Sequence, residues 1–178
     1  MQLHPHHDFP CHAVTRLEAD ARCLQPDILV LDWRLGATPG LLVLPEPGVG
    51  RRRDGLWRHA CFEAFIGSPG TTAYQEFNFS PSGDWAAYRF SGHRRDMERL
   101  DLAMPPLMRW QRAPGQLQLT VSLPAWPLPS RPLRIALCAV VETTAGAMGY
   151  WALRHPPGAP DFHHEAGRVL ELAPPRAG

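Results

Sequence analysis

Short stretches of alternating apolar and polar residues recur along the chain, and turn-forming residues separate them. A period of two is typical of strands that bury one face. The 20 prolines and 15 glycines interrupt this pattern and exclude long helices. We predict a turn or two of helix near 96–102, and strands at 13–19, 27–35, 41–44, 58–67, 73–80, 84–91, 107–113, 116–123, 133–143, 149–154 and 168–172. About ten short strands predict an all-β fold, an antiparallel β-sandwich of jelly-roll type, with a closed barrel as the alternative.

The sharpest local prediction is a β-hairpin in residues 73–90. Pro81 suits the second position of a type I turn and Gly83 supplies a positive φ, so Ser80 should pair with Asp84 across a three-residue loop. This register pairs Asn78 with Ala86, Glu76 with Tyr88, and Tyr74 with Phe90. The opposite face then carries Phe77, Phe79, Trp85 and Ala87. We expect one dry aromatic face and one mixed face, which is either an ordinary wetted surface or the floor of a site for a hydroxyl-rich ligand.

An apolar segment at 56–66 contains a carboxylate. If the segment is extended throughout, one face carries Trp57, His59, Cys61, Glu63 and Phe65, and the other carries Phe62, Ala64 and Ile66. Burying Glu63 unpaired would cost stability, so it should face water, pair with Arg58 or Arg89, or bind a ligand hydroxyl. An indole beside a carboxylate is typical of sites that bind sugars, so Trp57 strengthens the ligand hypothesis.

The composition fits one domain that makes no general electrostatic contact with polyanions. A chain of 178 residues is long enough for a single core, and its formal net charge is +1. Arg51–Arg53 and His93–Arg95 are local runs without interleaved aromatic residues, so we expect neither nucleic acid nor membrane as a partner. We predict a flexible amino-terminal segment at 1–12, a single β-sandwich ligand-binding domain at 13–173 and a tail at 174–178.

The four cysteines lack the short paired spacing of zinc or redox motifs. The amino terminus has no charged leader followed by an apolar core, and no apolar run approaches eighteen residues. We therefore expect a soluble, cytoplasmic protein.

Histidines and acids near the carboxyl end raise the question of a metal. Asp161, His163 and His164 are the candidate ligands, since imidazole and carboxylate suit zinc and similar ions. Adjacent histidines on an extended backbone do not easily turn both rings to one centre, so we expect no metal site there.

Three segments resemble a known family: Leu-Trp-x4-Phe-Glu-x-Phe at 56–65, Glu-Phe-Asn-Phe-Ser-Pro-Ser-Gly-x-Trp-Ala-Ala-Tyr at 76–88, and Asp-Phe-His-His-x6-Leu-Glu-Leu at 161–172. They are similar to DOMON-like domains related to family 9 carbohydrate-binding modules. The resemblance covers about 13–172 and implies an antiparallel β-sandwich. Better-known members bind sugars or haem, and many stand-alone bacterial members have no assigned role.

The resemblance also implies a site in which two aromatic plates clamp a sugar. By position, Trp57 corresponds to one plate and Phe162 to the other, where a Trp would be expected. Glu63 corresponds to the acidic hydroxyl acceptor, and Asn78, beside Glu76, to a polar contact from a strand where a basic residue is usual. Supporting candidates are Tyr88, Arg89 and Trp151, although alternation places Arg89 on the Phe77 face, where it could instead neutralise a buried acid.

We predict a non-catalytic module that binds a saccharide or a sugar-bearing cell-wall metabolite; the sequence specifies no protein partner. The relatives carry structural calcium, but acid-rich loops are hard to find here, and we predict no required calcium. One alternative is haem binding through Met and His, although no Cys-x-x-Cys-His occurs and no pair stands out. Another is a glycan hydrolase that uses Glu63 and Glu76 as a carboxyl pair.

Overall fold

The computed structural model describes residues 1–25, 28–124 and 132–173, which contain two antiparallel sheets packed as a sandwich. One sheet has the order β1 (His4–Pro5), β11 (Met148–Ala152), β10 (Leu133–Glu142), β4 (Cys61–Gly67), β5 (Tyr74–Phe79), β6 (Trp85–Phe90) and β7 (Glu98–Arg99), with β12 (Leu170–Leu172) also paired to β10. The other has the order β2 (Val14–Gln25), β3 (Ile28–Ala37), β9 (Gln116–Leu123) and β8 (Leu107–Ala113). Neither sheet closes on itself, so the β-sandwich prediction is confirmed and the barrel alternative is not.

The core lies between the sheets because alternate residues of each strand point inward. In β9, Leu117, Leu119, Val121 and Leu123 are buried, whereas the residues between them are partly exposed. Trp33 of β3 meets the large sheet, with ring centroids 5.9 Å from Phe62 and 6.0 Å from Phe79.

The β5–β6 hairpin forms in the predicted register. Asn78 pairs with Ala86, Glu76 with Tyr88 and Tyr74 with Phe90. The Ser80 amide donates to the Asp84 carbonyl at 2.9 Å, and Gly83 has a φ of 94°. The inner and outer faces of β5 therefore follow directly from the turn.

Three local predictions are wrong. Residues 41–44 make only an isolated bridge, between Leu42 and Thr143, because a Pro- and Gly-rich stretch follows directly. The helical turn near 96–102 is instead β7, which pairs with β6. Within 56–66 the strand begins only at Cys61, since Leu56–Arg58 form a 3₁₀ turn.

The amino-terminal residues pack on the large sheet. In the segment 1–12, for which we predict flexibility, β1 pairs with β11, and Leu3 and His6 are buried. The predicted tail at 174–178 lies outside the described residues. In the part of the chain that is described, no helix has the length and apolar content needed to traverse a bilayer.

Candidate functional site

The outer face of the large sheet, turned away from the sandwich core, is also buried. Its side chains form a second cluster, comprising Leu56, Cys61, Phe65, Tyr74, Ala86, Tyr88, Phe90, Ala136, Cys138 and Ala152, with Phe162 packed against it. The β11–β12 loop and the Leu56–Arg58 turn contribute to this cover. A layer of aromatic and small residues thus surrounds the few polar side chains of this face.

A cleft of about 310 Å³ opens in this layer. This volume lies at the lower end of the range for small-molecule sites. Its lining comprises Trp57, Glu63, Glu76, Phe90, Arg94, Met97, Val140, Tyr150, Pro160, Phe162 and His163. Four of the residues predicted from sequence, namely both aromatic plates and both glutamates, therefore converge on one cavity.

Trp57 reaches the cleft from a turn and not from a strand. Gly55 adopts a φ of 79°, which only glycine takes at little cost, and the 3₁₀ turn Leu56–Arg58 follows. Leu56 is buried and anchors the turn, whereas Trp57 is 37% exposed. Its ring stands edge-on to Tyr88 at 6.0 Å. The indole is therefore supported from one side and open on the other.

Phe162 lies on the β11–β12 loop, which folds across the outer face. Its ring is 6.4 Å from that of Phe65 and 6.2 Å from that of Tyr150. These contacts hold Phe162 in place although it belongs to no strand. The second plate predicted from the sequence is thus a partly buried wall of the cleft.

Glu63 and Glu76 form the floor of the cleft, and the predicted site residue Asn78 is fully buried beside them without lining the cleft. Glu63 on β4 pairs directly with Asn78 on β5, and Glu76 lies two residues before Asn78 on the same face. All three side chains are buried, and the Asn78 amide donates to Glu76 Oε1 at 2.7 Å. Glu63 Oε1 and Asn78 Oδ1 are buried without a hydrogen-bond partner among the described residues. Two oxygen atoms at and beside the floor are therefore left without a protein donor.

Burial changes the protonation of the floor. Burial, followed by the nearby Glu76 charge, raises the pKa of Glu63 well above its usual value, and the Cys61 thiol and Arg94 offset this only in part. Burial raises the pKa of Glu76 to about 7, although the Asn78 hydrogen bond and Arg94 act in the opposite direction. Two interacting carboxyl groups in one cleft resist becoming anionic together.

His163 borders the floor and forms a hydrogen-bonded group with Tyr74 and Arg94. Its Nδ1 lies 2.7 Å from the Tyr74 hydroxyl, which accepts a hydrogen bond from the Arg94 amide at 3.2 Å. His163 Nε2 is 3.9 Å from Glu76 Oε2. Burial and the Arg94 charge lower the pKa of His163 to about 4, so the imidazole is neutral near pH 7. His163 therefore brings no positive charge to Glu76.

The Arg94 guanidinium is engaged elsewhere. It donates to Asp161 Oδ1 at 3.0 Å, and His93 Nε2 lies 2.7 Å from the other carboxylate oxygen. Partial burial would raise the pKa of Asp161, but the hydrogen bonds from His93 and Arg94 outweigh it and hold that pKa below its usual value. Asp161 thus fixes Arg94 at the rim of the cleft.

The supporting candidates fall outside the cleft lining. Trp151 faces the sandwich core and is 5% exposed. Arg89 lies in a separate surface cleft of about 500 Å³, where Glu98 Oε2 accepts from its Nε at 2.7 Å. Tyr88 supports Trp57, and its hydroxyl donates to Asp54 Oδ1 at 2.7 Å. The larger cleft contains neither the buried acids nor the aromatic plates, so the smaller one is the better candidate.

Sequence reasoning missed Tyr150, Arg94, Met97 and Phe90 as lining residues. Neither Tyr150 nor Arg94 has a local signal in the sequence. Tyr150 reaches the outer face because Val140 pairs with both Cys61 and Tyr150, so that all three share a face. The loop conformation of Arg94, with a φ of 54°, determines where its side chain reaches.

The candidate metal ligands are occupied by protein partners. Asp161 binds Arg94 and His93, His163 contacts Tyr74, and His164 Nδ1 accepts from the Ala166 amide at 3.1 Å. Among the described residues, the metal-compatible group that does form consists of His6, His7 and Asp8. There His6 already binds the Gly158 carbonyl and the Asp8 amide. We attach no metal function to either set.

Comparison with known proteins supports the architecture. No family model and no curated protein matches the chain. Among solved structures the chain is similar to a "putative carbohydrate-binding protein" from Bacteroides uniformis ATCC 8492, with a TM-score of 0.66 and 12% sequence identity over 94% of this chain and 84% of the other. At this identity the likeness shows a shared β-sandwich fold.

Proposed function

We propose that this protein is a non-catalytic module that binds a saccharide in the cleft between Trp57 and Phe162. The observation that carries the proposal is the convergence of an open indole, a second aromatic wall and a buried polar floor on one cavity of about 310 Å³. Aromatic faces pack against the C–H groups of a sugar ring, and buried carboxylate and amide groups hydrogen-bond its hydroxyls.

Two further findings support this function without identifying the ligand. The structural neighbour from Bacteroides uniformis is described as carbohydrate-binding. The motif resemblance to DOMON-like domains related to family 9 modules leads to the same ligand class and to the same residues, Trp57, Glu63 and Asn78. We propose membership of that family on the motifs.

Replacing Trp57 by Ala tests the stacking contact. We expect free sugars to quench tryptophan fluorescence of the wild-type protein saturably, and calorimetric titration to show that Trp57→Ala loses at least about tenfold in affinity. Its stability should change by less than about 1 kcal/mol, since the indole is partly exposed.

Leu107→Ala, on β8 of the other sheet, is the matched control because Leu107 is exposed and distant from the cleft in the fold. It should bind like the wild type. Equal affinities for the wild type and Trp57→Ala would refute the stacking site.

A glycan hydrolase is the second candidate, because Glu63 and Glu76 share the cleft and burial raises the pKa of each. Carboxyl pairs with separated pKa values serve as acid and base in glycosidases. Release of reducing sugar from a glycan panel, abolished in Glu76→Gln, would favour this activity over simple binding.

A further inference from the structure

The floor of the cleft contains carboxyl groups without a matching cation. Glu63 and Glu76 are buried, and the Arg94 guanidinium beside them is bound to Asp161. The other groups that face the two acids are Cys61 and Cys138, the hydroxyls of Tyr74 and Tyr88, and neutral His163. None of these supplies a full positive charge.

The same floor is short of donors. The Asn78 amide donates to Glu76, while Glu63 Oε1 and Asn78 Oδ1 have no donor among the described residues. These two atoms belong to directly paired residues of β4 and β5, and Glu63 lines the cleft. A ligand group that carries hydrogen-bond donors and a positive charge would complement Glu63 Oε1 and the neighbouring Glu76 carboxyl group.

A primary ammonium matches both requirements, since it carries three N–H donors, no acceptor and one positive charge. A hydroxyl brings one donor and no charge, and an acetamide brings one N–H and an additional carbonyl acceptor. Trp57, Phe90, Tyr150 and Phe162 are the aromatic residues of the cleft lining, and aromatic faces also attract cations.

We propose that the cleft selects an amino sugar whose ammonium group binds Glu63 and Glu76. This inference rests on the proposed saccharide function and specifies the ligand class. The elevated pKa of Glu76 agrees with it, because an acid that ionises near pH 7 becomes anionic readily when a cation arrives.

The experiment compares sugars that differ only at carbon 2. Wild-type protein is titrated calorimetrically at pH 7 with the hydroxyl, amino and N-acetylamino forms of the gluco, galacto and manno monosaccharides. In at least one series we expect the amino sugar to bind about tenfold or more tightly than both of the other forms, as a charge-assisted contact in a desolvated site provides.

Isosteric variants assign the preference to the floor. In Glu76→Gln and in Glu63→Gln the ratio of amino-sugar to hydroxyl-sugar affinity should fall to about one, because each substitution leaves a neutral group of nearly the same shape that cannot ionise when the ammonium binds. Glu98→Gln, which alters an exposed acid outside the cleft, should keep the wild-type ratio. Thermal melts of each variant show that it is folded.

The possible results distinguish the amino-sugar inference from the proposed saccharide-binding function. Hydroxyl sugars that bind as tightly as amino sugars in every series would overturn the amino-sugar inference and leave the saccharide site standing. An amino-sugar preference that survives in both glutamine variants would also overturn it. Binding of none of the nine sugars would contradict the proposed function and this inference with it.

Discussion

The two faces of strand β5 are equally buried but differ in chemistry. Phe79 points into the sandwich core and is fully buried, whereas Glu76 and Asn78 point to the outer face and are 4% and 0% exposed. The inner face is what a packed sandwich requires. Packing does not require two buried acids, whose burial costs stability and raises both pKa values. This difference between the two faces is the basis of our proposal that the outer face holds a ligand site.

The largest expected effect is on the inner face. Phe79→Ala should lower the free energy of unfolding by about 3–5 kcal/mol, because it removes a buried ring that contacts Trp33 and leaves a cavity. Guanidinium unfolding followed by circular dichroism measures this loss. A decrease below about 1 kcal/mol would show that the sandwich core repacks freely, and the contrast between the faces would lose its basis.

On the outer face we expect a smaller, pH-dependent effect on the free energy of unfolding, in which the substitution Glu76→Gln stabilises the protein. The pKa of Glu76 is raised to about 7 from a usual 4.5, so folding favours the protonated acid and that stabilisation is lost as pH rises through 7. Glu76→Gln should therefore gain stability relative to the wild type between pH 4.5 and 8, by on the order of 3 kcal/mol. Urea unfolding at each pH measures this stability difference. Because His163 is present in both proteins, the effect of its titration largely cancels from the difference.

The exposed Glu98 provides the control for this experiment. Glu98→Gln removes an acid that pairs with Arg89 at the surface, and its stability difference from the wild type should vary little over the same pH range. If the stability difference between Glu76→Gln and the wild type also varies little with pH, Glu76 is not a buried acid with a raised pKa.

The smallest effect concerns the support beneath Trp57. Tyr88→Phe removes the hydrogen bond from the buried phenol to Asp54 and should cost about 1 kcal/mol, since Asp54 keeps its contact with Arg99. Chemical denaturation measures the cost. A variant more stable than the wild type would show that the hydrogen bond of the Tyr88 hydroxyl does not compensate for the burial of that group.

Local chemistry made one half of the site predictable. The Ser80–Asp84 turn fixes the register of β5 and β6, and alternation then assigns Glu76 and Asn78 to one face and Phe79 to the other. Glu63 followed from the same alternation within β4. These positions depend on neighbours a few residues away, and the sequence contains that information directly.

The other half depends on contacts distant in sequence. The alternating pattern predicts a strand at Trp57, because it does not reveal the left-handed conformation of Gly55 or the turn that follows. Tyr150 and not the predicted Trp151 lies on the outer face, because the register of β10 with β11 decides which of the two shares a face with Cys61, and a shift of one residue reverses the face. The path of the β11–β12 loop, which brings Phe162 to the cleft, was likewise beyond local reasoning.

A crystal structure of the protein grown with a saturating amino sugar tests the central claim most directly. We expect the sugar ring between Trp57 and Phe162, with a ligand donor within hydrogen-bond distance of Glu63 Oε1. A sugar bound elsewhere, or a cleft without sugar in which a protein group satisfies Glu63, would contradict the account.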